Sequence, residues 1–230
     1  MALKDDLKKE VEEIFTSTWT TREGNVVPES ENIKLSNDAV ELEGTVLYAD
    51  LTASTQLVDS QQPLFAAEIY KTYLRCAAKI IVAEAGSITA YDGDRIMAVF
   101  IGDSKNSSAA KTALKINYAV EHIINPALKN QYPNSTYKVR QTVGIDASKL
   151  IVARTGIRGS NDLVWVGRAA NYAAKLAALS SAYPSRITAE VYDRLNETSK
   201  YSKGSNMWTK TYWTEMNSRT IYHSSWWWEV

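Results

Sequence analysis

GTVLYADL at residues 44–51 and SITAYDGDRIMAVF at residues 87–100 decide how this chain is read. The first is a short apolar run, rich in strand-forming side chains, that ends on an acid, Asp50. The second holds two short apolar strands joined through Asp92-Gly93, a pair that favours a tight hairpin. Asp94 sits in that turn. If the strands pair in one sheet, Asp50 and Asp94 come to the same edge of it. Two hard oxygen ligands, with a nearby backbone carbonyl, suit Mg²⁺ or Mn²⁺, which keep open positions for water and phosphate oxygens. The plainer reading makes Asp50 a helix cap and Asp94 a turn residue, and each acid taken singly favours it.

Outward from these strands the pattern alternates. Pro63 opens a helical pattern that runs to Gly86, with Pro in the first turn and Gly as the C-terminal cap. Residues 105–125 return to helical spacing, with Ala109, Ala113, Ile116, Ala119 and Ile123 on one face, and Pro126 ends or kinks that helix. YKVRQTVGIDA (137–147) and KLIVART (149–155) read as strands with a tight Ser148-Lys149 turn between them. IRGSND leads to strand LVWVG and helix RAANYAAKLAAL, and RITA is a last short core strand. The order β-α-α-β-β-α-β-β-β-α-β predicts an α+β fold, with helices over one face of an antiparallel sheet.

Residues 3–15 place Leu3, Leu7, Val11 and Ile14 or Phe15 at helical spacing, with Asp5–Lys9 as a favourable pair. That amphipathic helix is expected to pack on its own domain or across a dimer; its mixed polar face disfavours a membrane. Residues 16–44 read as a polar connector with one short strand. The end, residues 207–230, alternates like a hairpin turning near Asn217-Ser218. Four of the seven tryptophans lie there beyond residue 210, at Trp213 and Trp226 to Trp228. No basic stripe interleaves them, so core cover or a protein interface is expected rather than a base-stacking platform. The expected division is 1–42, helix and connector; 43–195, the main domain; and 196–230, the Trp-rich hairpin.

With 45% apolar and 23% charged residues, the 230-residue chain is neither disordered nor fibrous. Its 26 basic and 26 acidic residues cancel, which removes the whole-surface argument for binding a nucleic-acid polymer. One cysteine and two histidines exclude an intrachain disulfide and disfavour a zinc site, leaving any metal to carboxylates. No apolar run approaches the ~18 residues a membrane span requires. The charged start, MALKDDLKKEVEE, lacks the apolar stretch of a signal peptide, and a cytoplasmic location is expected.

A third segment, GRAANYAAKL (167–176), opens a helix directly after a strand. Asn171 and Lys175 are four apart and share a face. An amide that grips a ribose oxygen beside a cation that meets phosphate is a substrate-facing pair, although such pairs on helices are usually solvated surface. Together the three segments resemble the class III nucleotidyl cyclase catalytic domain. Its pattern has a strand ending FAD, a GD hairpin followed by an apolar strand, and a helix start G-x-x-V-N-x-A-x-R. Here these read YAD, GDRIMAVF and GRAANYAAK.

The resemblance covers residues 43–195 and implies a ferredoxin-like core, paired head to tail in a homodimer with two sites built from both chains. It implies two ions, Mn²⁺ or Mg²⁺, held by Asp50, Asp94 and the Leu51 carbonyl. Asn171 would orient the ribose from the other protomer. Lys175 stands where the family usually has arginine, keeping the charge without the planar fork. The positions that read the purine hold Ala90 and Val164, neither of which offers a polar side chain. A narrower set, with Tyr48, Arg95 after the second acid and a Trp-rich end, resembles the pyrimidine cyclases of the Pycsar antiphage system. That resemblance implies UTP as substrate, cyclic UMP as product and a separate cyclic-nucleotide-binding effector. Tyr48, two before Asp50 and so on the same strand face, would shorten the pocket to one ring, and Arg95 would hold Tyr48 or the nucleotide. A cytidylate cyclase and a catalytically inactive cyclase-homology dimer are the competing readings.

Overall fold

The computed structural model describes residues 2–230. The chain runs α1 (Leu3–Thr16), β1 (Thr20–Glu23), a 3₁₀ turn (Ser30–Asn32), β2 (Asp38–Leu51), α2 (Ser54–Ser60), α3 (Pro63–Ala83), β3 (Ser87–Asp92) and β4 (Arg95–Phe100). It continues through α4 (Lys105–Tyr118), a π-helical segment (Ala119–Ile124), α5 (Asn125–Gln131), β5 (Gln141–Ile157), β6 (Ser160–Val166), α6 (Arg168–Ala177) and β7 (Ser185–Thr188). The last elements are α7 (Ala189–Asp193), α8 (Glu197–Lys200), β8 (Tyr201–Ser202), β9 (Ser205–Asn206), β10 (Thr209–Trp213) and β11 (Arg219–Ser224). Two units share these elements: Met1–Glu43 with Lys149–Gly167, and Gly44–Ser148 with Arg168–Val230.

In the first unit, α1 buries none of its residues, and its apolar stripe Leu3, Leu7, Val11, Ile14 and Phe15 is exposed. The Asn37 amide ends this helix by donating to the carbonyls of Ile14 (2.8 Å) and Ser17 (2.9 Å). The ion pair on its surface is Lys9–Glu13, not the expected Asp5–Lys9. Residues 16–44 are more regular than a connector. β1 pairs in parallel with the first residues of β2, Thr20 opposite Asp38, and Arg22 meets the buried Asp38 carboxylate at 2.6 Å. The later half of β5 pairs antiparallel with β6, from Ile151 opposite Val166 to Ile157 opposite Ser160. No turn interrupts β5 at Ser148-Lys149: both residues lie within the strand, and the Ser148 hydroxyl accepts from the Ala169 N–H at 3.0 Å.

The second unit is built on a sheet of order β10-β11-β7-β5-β2-β4-β3. The pairs β2–β4, β3–β4, β7–β11 and β10–β11 are antiparallel. β5–β7 is parallel, because the chain returns between them through a crossover containing α6. The sheet is therefore mixed where alternation alone predicted antiparallel pairing.

Strand alternation also shows which face each helix covers. Val143, Ile145 and Ala147 of β5 join the main core with Tyr73, Ala77 and Ile81 of α3 and Ala109, Ala113 and Ile116 of α4. Gly144 points the other way, and a Cβ there would lie 2.1 Å from the Ala173 carbonyl of α6. Helices thus cover both faces rather than one. A residue with any side chain at 144 would hold α6 off the sheet.

The turn signals hold with small shifts. The hairpin between β3 and β4 turns on Gly93-Asp94, with Gly93 at φ +60° and Asp92 opposite Arg95. After α3 the left-handed residue is Ala85, not Gly86. Gly86 is needed because the Phe100 ring lies 2.6 Å from where its Cβ would be. Pro126 does not end the helix of 105–125: the π-helical segment precedes it, and Pro126 sits in the first turn of α5. In the Trp-rich end, β10 and β11 form the expected hairpin, with Asn217 and Ser218 at positive φ. Trp208 and Trp213 are buried, Trp226 and Trp227 are exposed, and Trp228 packs on the main core.

Candidate active site

β2 and β4 carry the two acids to one place because their register sets Asp50 opposite Arg95, beside the turn that holds Asp94. The Leu51 N–H donates to the Asp94 carbonyl at 3.4 Å, tying the strand end to the turn. Burial first, and then the adjacent Asp94 charge, push the Asp50 carboxyl up to about 7. The plainer role for Asp50 does not apply, since the N-cap of α2 is Ala53 in a left-handed conformation, without a side-chain cap bond.

A cavity of about 350 Å³ opens on this pair, lined by Asp50, Leu51, Asp94, Arg95, Thr142 and the end of α6 among others. The Leu51 side chain is in the core, so the main chain is what this residue offers the cavity. Two adjacent carboxylates next to a backbone carbonyl are a donor set that fits a hard divalent cation. Among the described residues no group of three or more acid, histidine or cysteine side chains is placed to hold a metal ion, here or at any other position.

The other expected residues are placed unevenly. Arg95 lines the cavity and pairs with Asp92 at 2.5 Å. Tyr48 is half-buried, and burial raises its hydroxyl above the usual range while the Arg95 charge opposes that shift. Ala90 lies in β3, its neighbour Tyr91 opposite Ile96, and Val164 lies in β6 opposite Ala153. Neither supplies a polar side chain. Asn171 and Lys175 share an exposed face of α6 and do not line the cavity of their own chain.

Two features were not read from the sequence. A second polar cavity, about 600 Å³, shares Thr52 and Ala53 with the first and brings in Lys138 and Arg140. Their alternation in YKVRQ was the available signal. The other is an ion network under α6. Arg168 donates to the fully buried Asp146 through Nε (3.0 Å) and Nη2 (3.2 Å), and through Nη1 to Glu190 (2.9 Å). Thr188 also donates to Asp146, at 2.6 Å. An acid in the apolar strand VGIDA was the clue, because a buried carboxylate requires partners.

No protein-family model matches the chain. It is 51% identical over 231 residues to a uridylate cyclase of Xanthomonas perforans and 54% identical over 232 residues to one of Burkholderia cepacia, covering 100% of each chain. It is 38% identical to a uridylate cyclase of Rhodovulum sp., over 99% of this chain and 98% of that one. Among solved structures, the adenylyl cyclase CyaB of P. aeruginosa superposes with a TM-score of 0.66 at 19% identity, over 81% of this chain and 95% of the other. The guanylyl cyclase Cya2 superposes with a TM-score of 0.67 at 14% identity, over 80% and 91%. The fold is that of these cyclase catalytic domains. With full-length relatives of one kind and two acids meeting at the strand edge, the chain belongs to the uridylate cyclase family and is a nucleotidyl cyclase.

Proposed function

We propose that this chain converts UTP to 3′,5′-cyclic UMP and diphosphate, as a head-to-tail homodimer whose sites draw on both protomers. The observation that carries the chemistry is the adjacent carboxylate pair Asp50–Asp94, the first of them desolvated, at the edge of β2 and β4. The choice of uracil is supported by the name of the full-length relatives. In the reaction the ribose 3′-oxygen attacks the α-phosphorus, its proton leaves, and the bond to the β-phosphate oxygen breaks to release diphosphate.

Asp50, Asp94 and the Leu51 carbonyl would hold two divalent cations, Mn²⁺ or Mg²⁺. Bound there, such ions supply acidity to the 3′-hydroxyl and neutralise triphosphate charge. The protein's own part is positioning and charge screening, which phosphoryl transfer chiefly requires. Asn171 of one protomer orients the ribose at the carboxylates of the other, and Lys175 stabilises charge on the transferring phosphate. The exposure of both residues, away from their own cavity, supports a role across the dimer. Tyr48 limits the base pocket to one ring, with Arg95 beside it. Residues 43–195 form the catalytic domain in this reading, flanked by the N-terminal segment and the Trp-rich hairpin. The product acts on a separate effector in bacterial antiphage defence, in the cytoplasm. Among the described residues no helix is long and apolar enough to cross a membrane.

The test is direct. Purified protein is incubated with Mn²⁺ and an equimolar mixture of ATP, GTP, CTP and UTP, and the cyclic products are separated. Cyclic UMP should dominate. Mainly cyclic CMP would make this a cytidylate cyclase; mainly cyclic AMP or cyclic GMP would overturn the pyrimidine reading. No product would favour an inactive nucleotide-binding dimer.

A further inference from the structure

We infer that Arg219, in the Trp-rich hairpin, is a positioning residue that fixes the rotation of α6 and so aims Asn171 and Lys175. This rests on the reading of α6 as the helix that one protomer lends to its partner's site. Asn171 and Lys175 are exposed, and their side chains make no hydrogen bond or ion pair among the described residues. Their aim is therefore set only by how the helix beneath them sits.

That seat is built around Tyr172, the residue next to Asn171. Its ring is touched by two guanidinium groups, with Cζ of Arg168 5.6 Å and Cζ of Arg219 5.3 Å from its centroid. Trp213 packs edge-on against the same ring, at 5.5 Å and 77°. Both arginines donate to the same Glu190 oxygen, so β11 and the first turn of α6 are joined through one carboxylate. Below them Leu176, Trp213 and Ile221 form a small apolar cluster separate from the main core. Arg168 ties α6 inward to the buried Asp146, while among the described residues Arg219 is the one ion-pair tie from the hairpin.

The lever arm makes this consequential. A side-chain tip about 6 Å from the helix axis moves about 1 Å when the helix rotates by about 10°. A misplacement of that size costs up to about a hundredfold in rate. Removing Arg168 would leave Asp146 buried without its cation and endanger folding. Arg219 is one-third exposed on its side chain and can be removed with less risk.

Arg219→Ala should lower kcat roughly ten- to hundredfold. The Mn²⁺ concentration for half-maximal activity should stay at the wild-type value, since the carboxylate half is untouched. Tyr172→Leu should fall in the same way, and Tyr172→Phe, which keeps the ring, should recover. The decisive assay mixes chains. Arg219→Ala with Asp50→Ala builds one site from intact Asp50 and a braced α6, so activity should rise well above either parent. Arg219→Ala with Asn171→Ala builds no such site and should give no rise. Mixing Asp50→Ala with Asn171→Ala is the reference: if it yields nothing despite proven subunit exchange, the shared-site reading fails. With that reference active, the positioning role is overturned by wild-type kcat in folded Arg219→Ala and Tyr172→Leu. Equal rescue of Arg219→Ala by both partners, or rescue by neither, overturns it as well.

Discussion

Asp50 carries a charge that its surroundings resist, and this makes it the most informative single residue. Unfolded, its carboxyl titrates near 3.8; folded, burial and Asp94 raise it to about 7. In metal-free protein the folded state therefore holds a proton that the unfolded chain has released. Its stabilisation is full below the unfolded value and is lost as pH rises through about 7. In chelator, the melting temperature of wild type should fall between about pH 5 and pH 8 more steeply than that of Asp50→Asn. Equal slopes in thermal melts of the two proteins would contradict the raised Asp50 carboxyl. For the same reason Asp50→Asn and Asp94→Asn should keep the fold while cyclic nucleotide formation drops by orders of magnitude. The identity of these acids was legible because strand ends and an Asp-Gly turn are local signals. The Asp146–Arg168–Glu190 network was not, since its members are brought together by β5, α6 and α7 from distant parts of the chain.

At the scale of elements, the fit of α6 against β5 turns on a missing side chain. A Cβ at Gly144 would lie 2.1 Å from a main-chain oxygen and 2.5 Å from the Ala177 nitrogen, and neither can swing away. Gly144→Ala should cost on the order of 3 kcal/mol in denaturant unfolding, with lost turnover in whatever remains folded. A midpoint within experimental scatter of wild type would mean that the helix rides freely on the sheet. Alternation in VGIDA announced a strand, but a glycine inside it can equally mark a bulge, so only the packed helix reveals its purpose. The unbroken β5 was missed for a related reason: Ser-Lys looks like a turn when its partners, Ala169 for one, lie far along the chain.

For the molecule as a whole, the division of labour between protomers is the property to measure. Asp50→Ala and Asn171→Ala should each be inactive alone, and mixed they should regain up to about half of wild-type activity per heterodimer, since one of two sites is complete. The regained rate should fall on dilution as dimers part. No recovery despite proven subunit exchange would point to a site within one chain. Dimerisation could be read only from the resemblance, because nothing in a single chain's periodicity distinguishes a face meant for a copy of itself. The fully exposed stripe on α1 shows that difficulty: its helical pattern was plain, and its partner was not.

The π-helical segment Ala119–Ile124 gives the chain a strict residue count. It holds more residues per turn than the α-helix on either side. Deleting one residue there would let the helix relax to ordinary winding with everything downstream in nearly the same orientation, because the wide turn absorbs one extra residue; deleting a second, or inserting one, would turn it by about 100°. Asn125 is the first residue to feel it, and its amide both donates to the Val139 carbonyl (3.1 Å) and accepts from the Val139 N–H (2.8 Å). That clasp leads straight into β5. Working homologues should therefore either keep this count or lose a single residue here, while the exposed tip at Gly159 can vary in length.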